Sequence, residues 1–149
     1  MDNYLQIILQ LVLAVLFGAV IGLEREYKGK EAGFQTYSLV GLGTCLFTIV
    51  GFRLFDFFSG RPGISFDPSR LIQAIAVGIG FIGAGVIIYR QFRLEGITTA
   101  AGLWCVSAIG IAIGVQFYVL AVVAVILASV ILIGFGELEK RIFRKKWQQ

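Results

Sequence analysis

The sequence predicts an all-α, polytopic integral membrane protein with five transmembrane helices packed through glycine-rich faces. Hydrophobic residues make up 58% of the chain and charged residues only 15%, and the mean hydropathy is +0.87. A soluble domain usually carries about 25% charged residues. The charges also divide the chain into long uncharged runs, and most of the 19 glycines lie within those runs.

The uncharged runs predict the number of helices. A membrane-spanning helix needs about 20 mostly apolar residues. The runs 3–23, 32–52 and 71–89 each have about this length. The fourth run, 96–136, is about twice as long, so it predicts a helical hairpin that turns near residues 114–116.

The third run contains the glycines around which we expect the bundle to be organised. Asp67 and Ser69 precede it and are residue types that cap helix N-termini, while Pro68 suits the first helical turn. Glycine is unfavourable in a helix in water, by about 1 kcal/mol relative to alanine, but in a bilayer it allows a second helix to approach closely. We therefore expect this helix to be the packing centre, through four glycines: Gly78, Gly80, Gly83 and Gly85.

Two further glycine patterns need separate interpretation. Gly18 and Gly22 have the four-residue spacing that is typical of helix contacts in membranes. Residues 78–83 match the GxGxxG fingerprint of dinucleotide-binding proteins, but that fingerprint has meaning only between a strand and a helix. Because it lies here in the middle of an apolar run, we interpret the match as accidental and expect no nucleotide.

The basic residues predict the orientation of the chain. Cytoplasmic loops retain Lys and Arg, and most of the 13 such residues fall in the first loop, the third loop and the C-terminal tail. With five spans these segments share one side, so we expect the N-terminus outside and the C-terminus in the cytoplasm. Residues 1–136 then form the membrane domain and residues 137–149 a basic cytoplasmic tail. Since the basic residues flank the spans, the net charge of +4 does not predict a nucleic-acid partner.

Two polar segments near the cytoplasmic side each leave two interpretations open. Residues 24–31 form a solvated loop with a Glu24–Lys28 ion pair, or they place Glu24 against a partner or a polar cavity, because a carboxylate beside an apolar run is costly. Thr98 and Thr99 bond to their own helix, or they line a polar pocket together with Glu24 and Glu95.

Few residues of the chain could carry out catalysis. The sequence has no histidine, and it offers no pairing of a nucleophile with a base, so we do not expect an enzyme. Cys45 and Cys105 lie within the second and fourth spans, where free cysteine usually packs as a small apolar group.

Several sequence blocks, taken in order, resemble the bacterial MgtC/SapB family. They are residues 22–26 (GLERE), 32–36 (AGFQT), 67–70 (DPSR), 78–85 (GIGFIGAG) and 96–104 (GITTAAGLW). Gln35 departs from the family pattern, which often has arginine at this position. Longer members carry a soluble C-terminal domain, whereas this chain is similar to the short members that consist of the membrane domain alone.

The resemblance implies a bacterial inner-membrane protein connected with magnesium homeostasis, growth in low magnesium, acid resistance and virulence. It implies no cofactor other than Mg²⁺ as a ligand or a signal. Two activities are associated with the family. One is regulation of other membrane proteins, among them the proton-translocating ATP synthase, and the other is magnesium transport.

Both activities assign roles to residues of this chain. Regulation suits glycine-rich helices that pack in a homodimer or against another membrane protein. Transport would use carboxylates as the first binding sites for a hydrated cation, since Mg²⁺ prefers oxygen ligands and keeps several waters. We favour regulation because no predicted span has a charge near its centre. The candidate cation or partner contacts are Glu24, Arg25, Glu26, Asp67, Arg70 and Glu95.

Overall fold

A computed structural model of the chain describes residues 2–59, 67–90 and 92–143. Five helices are long and apolar enough to cross a membrane, which confirms the predicted fold class and the number of spans. Residues 60–66, which include Pro62, and the end of the predicted tail, residues 144–149, lie outside the described residues. The elements are α1 (Asp2–Tyr27), α2 (Phe34–Phe58), α3 (Pro68–Val86), β1 (Ile88–Arg90), β2 (Arg93–Glu95), α4 (Ile97–Gly114), α5 (Tyr118–Val130), a π-helical segment (Ile131–Phe135) and α6 (Gly136–Phe143).

α1 is longer than the first predicted span. It continues through Glu24 to Tyr27, so the interpretation of these residues as a loop is wrong, although the predicted ion pair between Glu24 and Lys28 is present. Gly29 then ends the helix, because its φ of 60° lies in the left-handed region that glycine adopts readily. The amide of Lys30 donates back to the carbonyl oxygen of Arg25 at 3.0 Å.

α3 begins as predicted but ends early. The Asp67 side chain accepts a hydrogen bond from the amide of Ser69 at 2.9 Å, and Pro68 is the first helical residue. The helix stops at Val86, although the third uncharged run continues to residue 89. Residues 88–90 and 93–95 instead form an antiparallel hairpin. The residues that leave the helix are isoleucines and a tyrosine, types that favour extended backbone.

The fourth run folds as the predicted helical hairpin. α4 ends at Gly114, Gln116 has a φ of 67°, and α5 begins at Tyr118. In the span that contains α5, only 11% of the residues in the most apolar stretch are buried. Most of its Val, Ile and Leu side chains are therefore exposed on the outside of the bundle.

The core lies between α1, α2 and α4, and the expectation that α3 is the packing centre is wrong. The buried share of the spanning stretch is 50% in α4 and 39% in α2, but 17% in α3. α3 packs on α4 through a single stripe of residues that share one helical face, Ile75, Ile79 and Gly83. At the remaining glycines of the motif, no other described part of the chain comes within 4 Å of the place where a Cβ would stand, apart from the backbone of α3 itself: Gly78, Gly80 and Gly85.

Glycines on the other three helices make the close contacts within the core. At Gly18 of α1, a Cβ would lie 2.5 Å from the carbonyl oxygen of Tyr37. At Gly41 of α2, a Cβ would lie 2.7 Å from the carbonyl oxygen of Ala14. Such small residues let helix backbones approach closely in a bilayer. α4 approaches α2 equally closely at two glycines, Gly110 and Gly114.

Gly41 and Gly43 distinguish the effect of close helix approach from the effect of glycine itself. Gly41→Ala places a methyl group against the backbone of Ala14, whereas Gly43 has open space around it. We expect Gly41→Ala to lower the free energy of unfolding in detergent by about 1–3 kcal/mol, because the core is overpacked. Gly43→Ala should raise it or leave it unchanged, because alanine favours a helix. Equal effects of the two substitutions on thermal unfolding would contradict this interpretation.

Candidate functional site

A cavity of about 850 Å³ lies at the end of the bundle that carries the α1–α2 loop and the β-hairpin. We call this end, which comprises residues 24–36, 87–90 and 92–99, the basic end. The C-terminus of α1, the N-terminus of α4 and the π-helical segment surround the cavity. Its charged and hydroxyl-bearing lining residues are Arg25, Lys28, Lys30, Glu31, Glu95, Thr98 and Thr99.

A chain of hydrogen bonds runs through the cavity wall from Arg25 to Glu31. Arg25 is only 4% exposed, and its Nη2 donates to the Thr99 hydroxyl at 2.7 Å. That hydroxyl donates in turn to Oε2 of Glu31 at 2.7 Å. The bond from Thr99 is the largest of the effects that hold the pKa of the Glu31 carboxyl below its ordinary value. The chain therefore joins α1, the α1–α2 loop and α4 and favours a charged Glu31.

Tyr37 supports this chain from α2. Its side chain is fully buried, and its hydroxyl donates to the carbonyl oxygen of Thr99 at 3.0 Å. Gly102, one turn along α4, leaves the space that the phenol ring occupies. Gly22 of α1 lies close to the start of α2, where a Cβ would be 2.8 Å from the Cα of Phe34. The three helices that form the core thus also position Thr99.

Glu24, in the last turn of α1, and Lys28, directly after that helix, form a second polar group. They make an ion pair, and Arg25 Nη1 lies 3.7 Å from the other oxygen of Glu24. Lys28 Nζ also donates to the carbonyl oxygen of Leu132 at 3.0 Å. Leu132 belongs to the π-helical segment, and such segments interrupt the regular helical hydrogen bonds and are frequent at functional sites. Lys28 therefore ties α1 to the last span.

The remaining predicted contact residues are distributed over the molecule. Glu26 lies outside the cavity. Its Oε2 accepts a hydrogen bond from the amide of Phe34 at 3.1 Å, and a carboxylate at this position stabilises the N-terminus of α2. Asp67 and Arg70 lie at the opposite end of the bundle and are exposed. Arg70 Nε is 3.7 Å from Asp67 Oδ2. Only Arg25 and Glu95 of the candidate contacts line the cavity. Within residues 2–59, 67–90 and 92–143, no three His, Cys, Asp or Glu side chains come together as a metal site.

Lys30, Glu31 and Tyr37 of this site were not predicted from the sequence. A polar pocket at Thr98 and Thr99 was one of two interpretations, and both residues line the cavity. The bond from Thr99 goes to Glu31 and not to Glu24. Glu31 is the last charged residue before the second uncharged run, which is a signal that could have identified it. Tyr37 carries no comparable signal in the sequence.

A second cavity, of about 450 Å³, lies at the opposite end of the bundle. Gln10 is 3% exposed there, and its amide nitrogen donates to the carbonyl oxygens of Ile113 and Gly114 at 2.9 Å each. Charged groups of α2, Arg53 and Asp56, also line this cavity. Of the two cysteines, Cys45 is buried in the core, which agrees with a packing role.

A sequence profile of the MgtC family matches residues 11–141 of the chain. The chain belongs to the MgtC family. The putative magnesium transporter YhiD of Escherichia coli strain K12 is 37% identical to it over 142 residues, which cover 95% of this chain and 66% of YhiD. Protein SapB of Bacillus subtilis strain 168 is 42% identical over 113 residues, which cover 75% of this chain and 49% of SapB.

Protein MgtC of Salmonella typhimurium strain LT2 is 38% identical over 120 residues, which cover 80% of this chain and 48% of that protein. The chain therefore spans about two thirds of YhiD and about half of SapB and of MgtC. No solved structure is significantly similar to this MgtC family member.

The two neighbouring threonines of α4 provide a matched test of the hydrogen-bonded chain. Thr99→Val leaves the buried Arg25 without its hydroxyl acceptor, so we expect the free energy of unfolding to fall by about 1–3 kcal/mol. Thr98 is exposed and makes no hydrogen bond with another described side chain. Thr98→Val should therefore change stability by less than about 0.5 kcal/mol. Thermal unfolding in detergent measures the stability of both variants. An unchanged stability of Thr99→Val would contradict the assigned role of Thr99.

Proposed function

We propose that this protein regulates other membrane proteins by direct contact between helices within the bilayer, and that α3 supplies the contact surface. The outward face of α3 carries this proposal. Val77 is 70% exposed and Phe81 is 83% exposed on that face. Gly78, Gly80 and Gly85 lie around them with open space. Small residues next to large side chains let a second helix approach and interlock.

Contact with lipid alone does not account for this face. Among the described residues, no other helix packs on the outward side of α5 either. The exposed residues there are aliphatic, such as Val119, Leu120 and Ile126. Glycine disfavours a helix by about 1 kcal/mol relative to alanine. Three outward glycines on one helix are therefore costly unless a partner packs against them, and they favour a protein surface over a lipid surface.

The proposed regulator works in the bacterial inner membrane with its N-terminus outside and its basic end in the cytoplasm. The distribution of Lys and Arg in the loops supports this orientation. The family relationship supports a role in magnesium homeostasis, since YhiD carries the name of a putative magnesium transporter. The partner is another integral membrane protein, for which the ATP synthase is one candidate, and a second copy of this chain would use the same face.

Photo-crosslinking in bacterial membranes tests the proposed surface. A photoreactive amino acid at position 77 of α3 should form protein adducts, whereas one at position 126 of α5, where Ile126 is 56% exposed, should mainly meet lipid. An adduct of twice the chain mass identifies a second copy, and mass spectrometry identifies any other partner. Adduct yields at position 77 that do not exceed those at position 126 would contradict the proposal.

Two matched glycine substitutions make the same experiment specific. Gly80→Leu should remove the adducts at position 77 without destabilising the protomer, because no atom lies within 4 Å of a Cβ at this position. Gly134→Leu on the π-helical segment also has open space and should leave the adducts unchanged. Gly83 is unsuitable, because a Cβ there would lie 3.4 Å from Ala100 within the same protomer.

Cation transport is a second candidate function, and a seam of buried polar residues between α2 and α4 favours it. Thr48 lies against Gly114, next to the second cavity, and Thr44 lies against Gly110, farther into the bundle. Both threonine hydroxyls donate to carbonyl oxygens of their own helix. The seam therefore places buried polar groups in the core between the two ends of the bundle, where close packing of α2 and α4 closes it.

Magnesium flux into proteoliposomes with a trapped indicator tests transport. Asp56 lines the second cavity, whereas Asp67 caps α3 outside it. Asp56→Asn should therefore reduce protein-dependent influx by about tenfold if a carboxylate binds the ion at the mouth. Asp67→Asn should leave influx unchanged, because asparagine caps helices as well as aspartate does. An absence of flux from folded, inserted protein would exclude transport and leave regulation.

A further inference from the structure

Three basic side chains line the cavity at the basic end, Arg25, Lys28 and Lys30, together with the carboxylates of Glu31 and Glu95. Lys28 pairs with Glu24, but the buried Nε of Arg25 has no hydrogen-bond partner among the described residues. Lys30 forms no ion pair with any other side chain that the structure describes. The Lys30 ammonium therefore keeps unused hydrogen-bonding capacity at the cavity, and Arg25 keeps an unpaired donor buried in the cavity wall.

The N-terminus of α4 adds to this positive character. Residues 96–99 line the cavity, and the N-cap residue, Gly96, has no side chain with which to bond the first-turn amides. The first amides of a helix have no intrahelical acceptor. They also form the positive end of the helix dipole, and together these properties make a helix N-terminus a binding site for anions. α4 has 18 residues, enough for a full dipole.

Glu31 already places an oxyanion in this site. Its carboxylate accepts from the Thr99 hydroxyl at the first turn of α4, and that hydroxyl also accepts from the buried Arg25. Glu31 belongs to the α1–α2 loop and its side chain is exposed, so it can leave without disturbing a helix. A free oxyanion that entered the cavity would meet the same donors.

We propose that this cavity binds a phosphate-type oxyanion, and that the Glu31 carboxylate occupies the site when the ligand is absent. The ligand takes hydrogen bonds from the Thr99 hydroxyl, the Arg25 guanidinium and the α4 amides, and Lys30 attracts it. A cavity of about 850 Å³ accommodates a soluble phosphate monoester or the headgroup of an anionic phospholipid. This site is separate from the α3 surface, so it does not depend on the proposed regulatory contact.

Calorimetric titration of the purified protein in neutral detergent with inorganic phosphate tests the soluble form of the ligand. Lys30→Gln should weaken binding by about tenfold, because a charged group that attracts the anion is lost. Glu31→Gln should tighten binding by about tenfold, because phosphate no longer has to displace a carboxylate. Both side chains are exposed, so neither substitution threatens folding in the way that replacing the buried Arg25 would.

Two control variants separate a local site from general charge effects. Glu26→Gln removes a carboxylate from the last turn of α1, but Glu26 does not line the cavity. The side-chain oxygen of the glutamine can still accept a hydrogen bond from the amide of Phe34. Arg70→Gln removes a basic residue at the opposite end, where its side chain is 85% exposed. Both controls should bind phosphate with unchanged affinity.

The lipid form of the ligand is tested in nanodiscs. The midpoint of thermal unfolding is compared between phosphatidylcholine alone and phosphatidylcholine with phosphatidylglycerol, because a ligand that binds only the folded protein raises this midpoint. Stabilisation by phosphatidylglycerol that Lys30→Gln reduces and Glu31→Gln increases identifies a headgroup as the ligand. Phosphate binding with the same pattern identifies a soluble ligand. An absence of both effects, or equal effects in the control variants, would overturn the proposal.

Discussion

Close backbone approach between α2 and its neighbours α1 and α4 is the constraint on which the rest of the structure depends. Within a bilayer, helices gain little from hydrophobic burial against one another, so packing contacts and interhelical hydrogen bonds hold them together. Gly18, Gly41 and Gly110 let these three helices approach at distances that a side chain at any of these positions would prevent. The positions of α3 and α5 follow from this core, because both pack on α4.

The same approach makes the polar arrangement of the basic end stable. A charged side chain that is removed from water is costly unless hydrogen bonds and opposite charge compensate for it. Arg25 is buried beside Glu24 and the Thr99 hydroxyl. Thr99 is in turn held by Tyr37, which reaches it only because α2 lies so close to α4. The cavity thus combines a rigid wall of core helices with a carboxylate, Glu31, on a loop.

α3 differs from the core helices in what its glycines do. Gly83 faces α4, whereas the other glycines of the motif point away from the protomer. The proposed regulatory surface and the proposed oxyanion site therefore lie on different parts of the molecule. They are linked through α4, since α3 packs along that helix and the cavity includes its first turn. A ligand at the first turn of α4 thus lies on the same helix that positions the α3 surface.

Much of the fold could be predicted because the relevant signals are local. The length of the uncharged runs predicted five spans and the α4–α5 turn, and Asp67 followed by Pro68 predicted the start of α3. Local signals were insufficient at the end of α3, where the apolar residues 87–89 suit both a helix in lipid and the strand that they enter. For the candidate site, a polar pocket at Thr98 and Thr99 was one of two interpretations that the sequence left open. Glu31 was not predicted, since its contact with Thr99 joins segments far apart in the chain.

The sequence by itself determined the membrane-spanning architecture and the relationship to the MgtC family, because hydropathy, capping residues and sequence blocks are properties of contiguous segments. Only the tertiary structure decided which glycines meet a neighbouring helix. A glycine-rich helix presents small residues on several faces, and the face that packs inward depends on helices that are distant in sequence. For that reason Gly18 and Gly41 lie in the core, while Gly78 and Gly80 are left on the outside of the protomer.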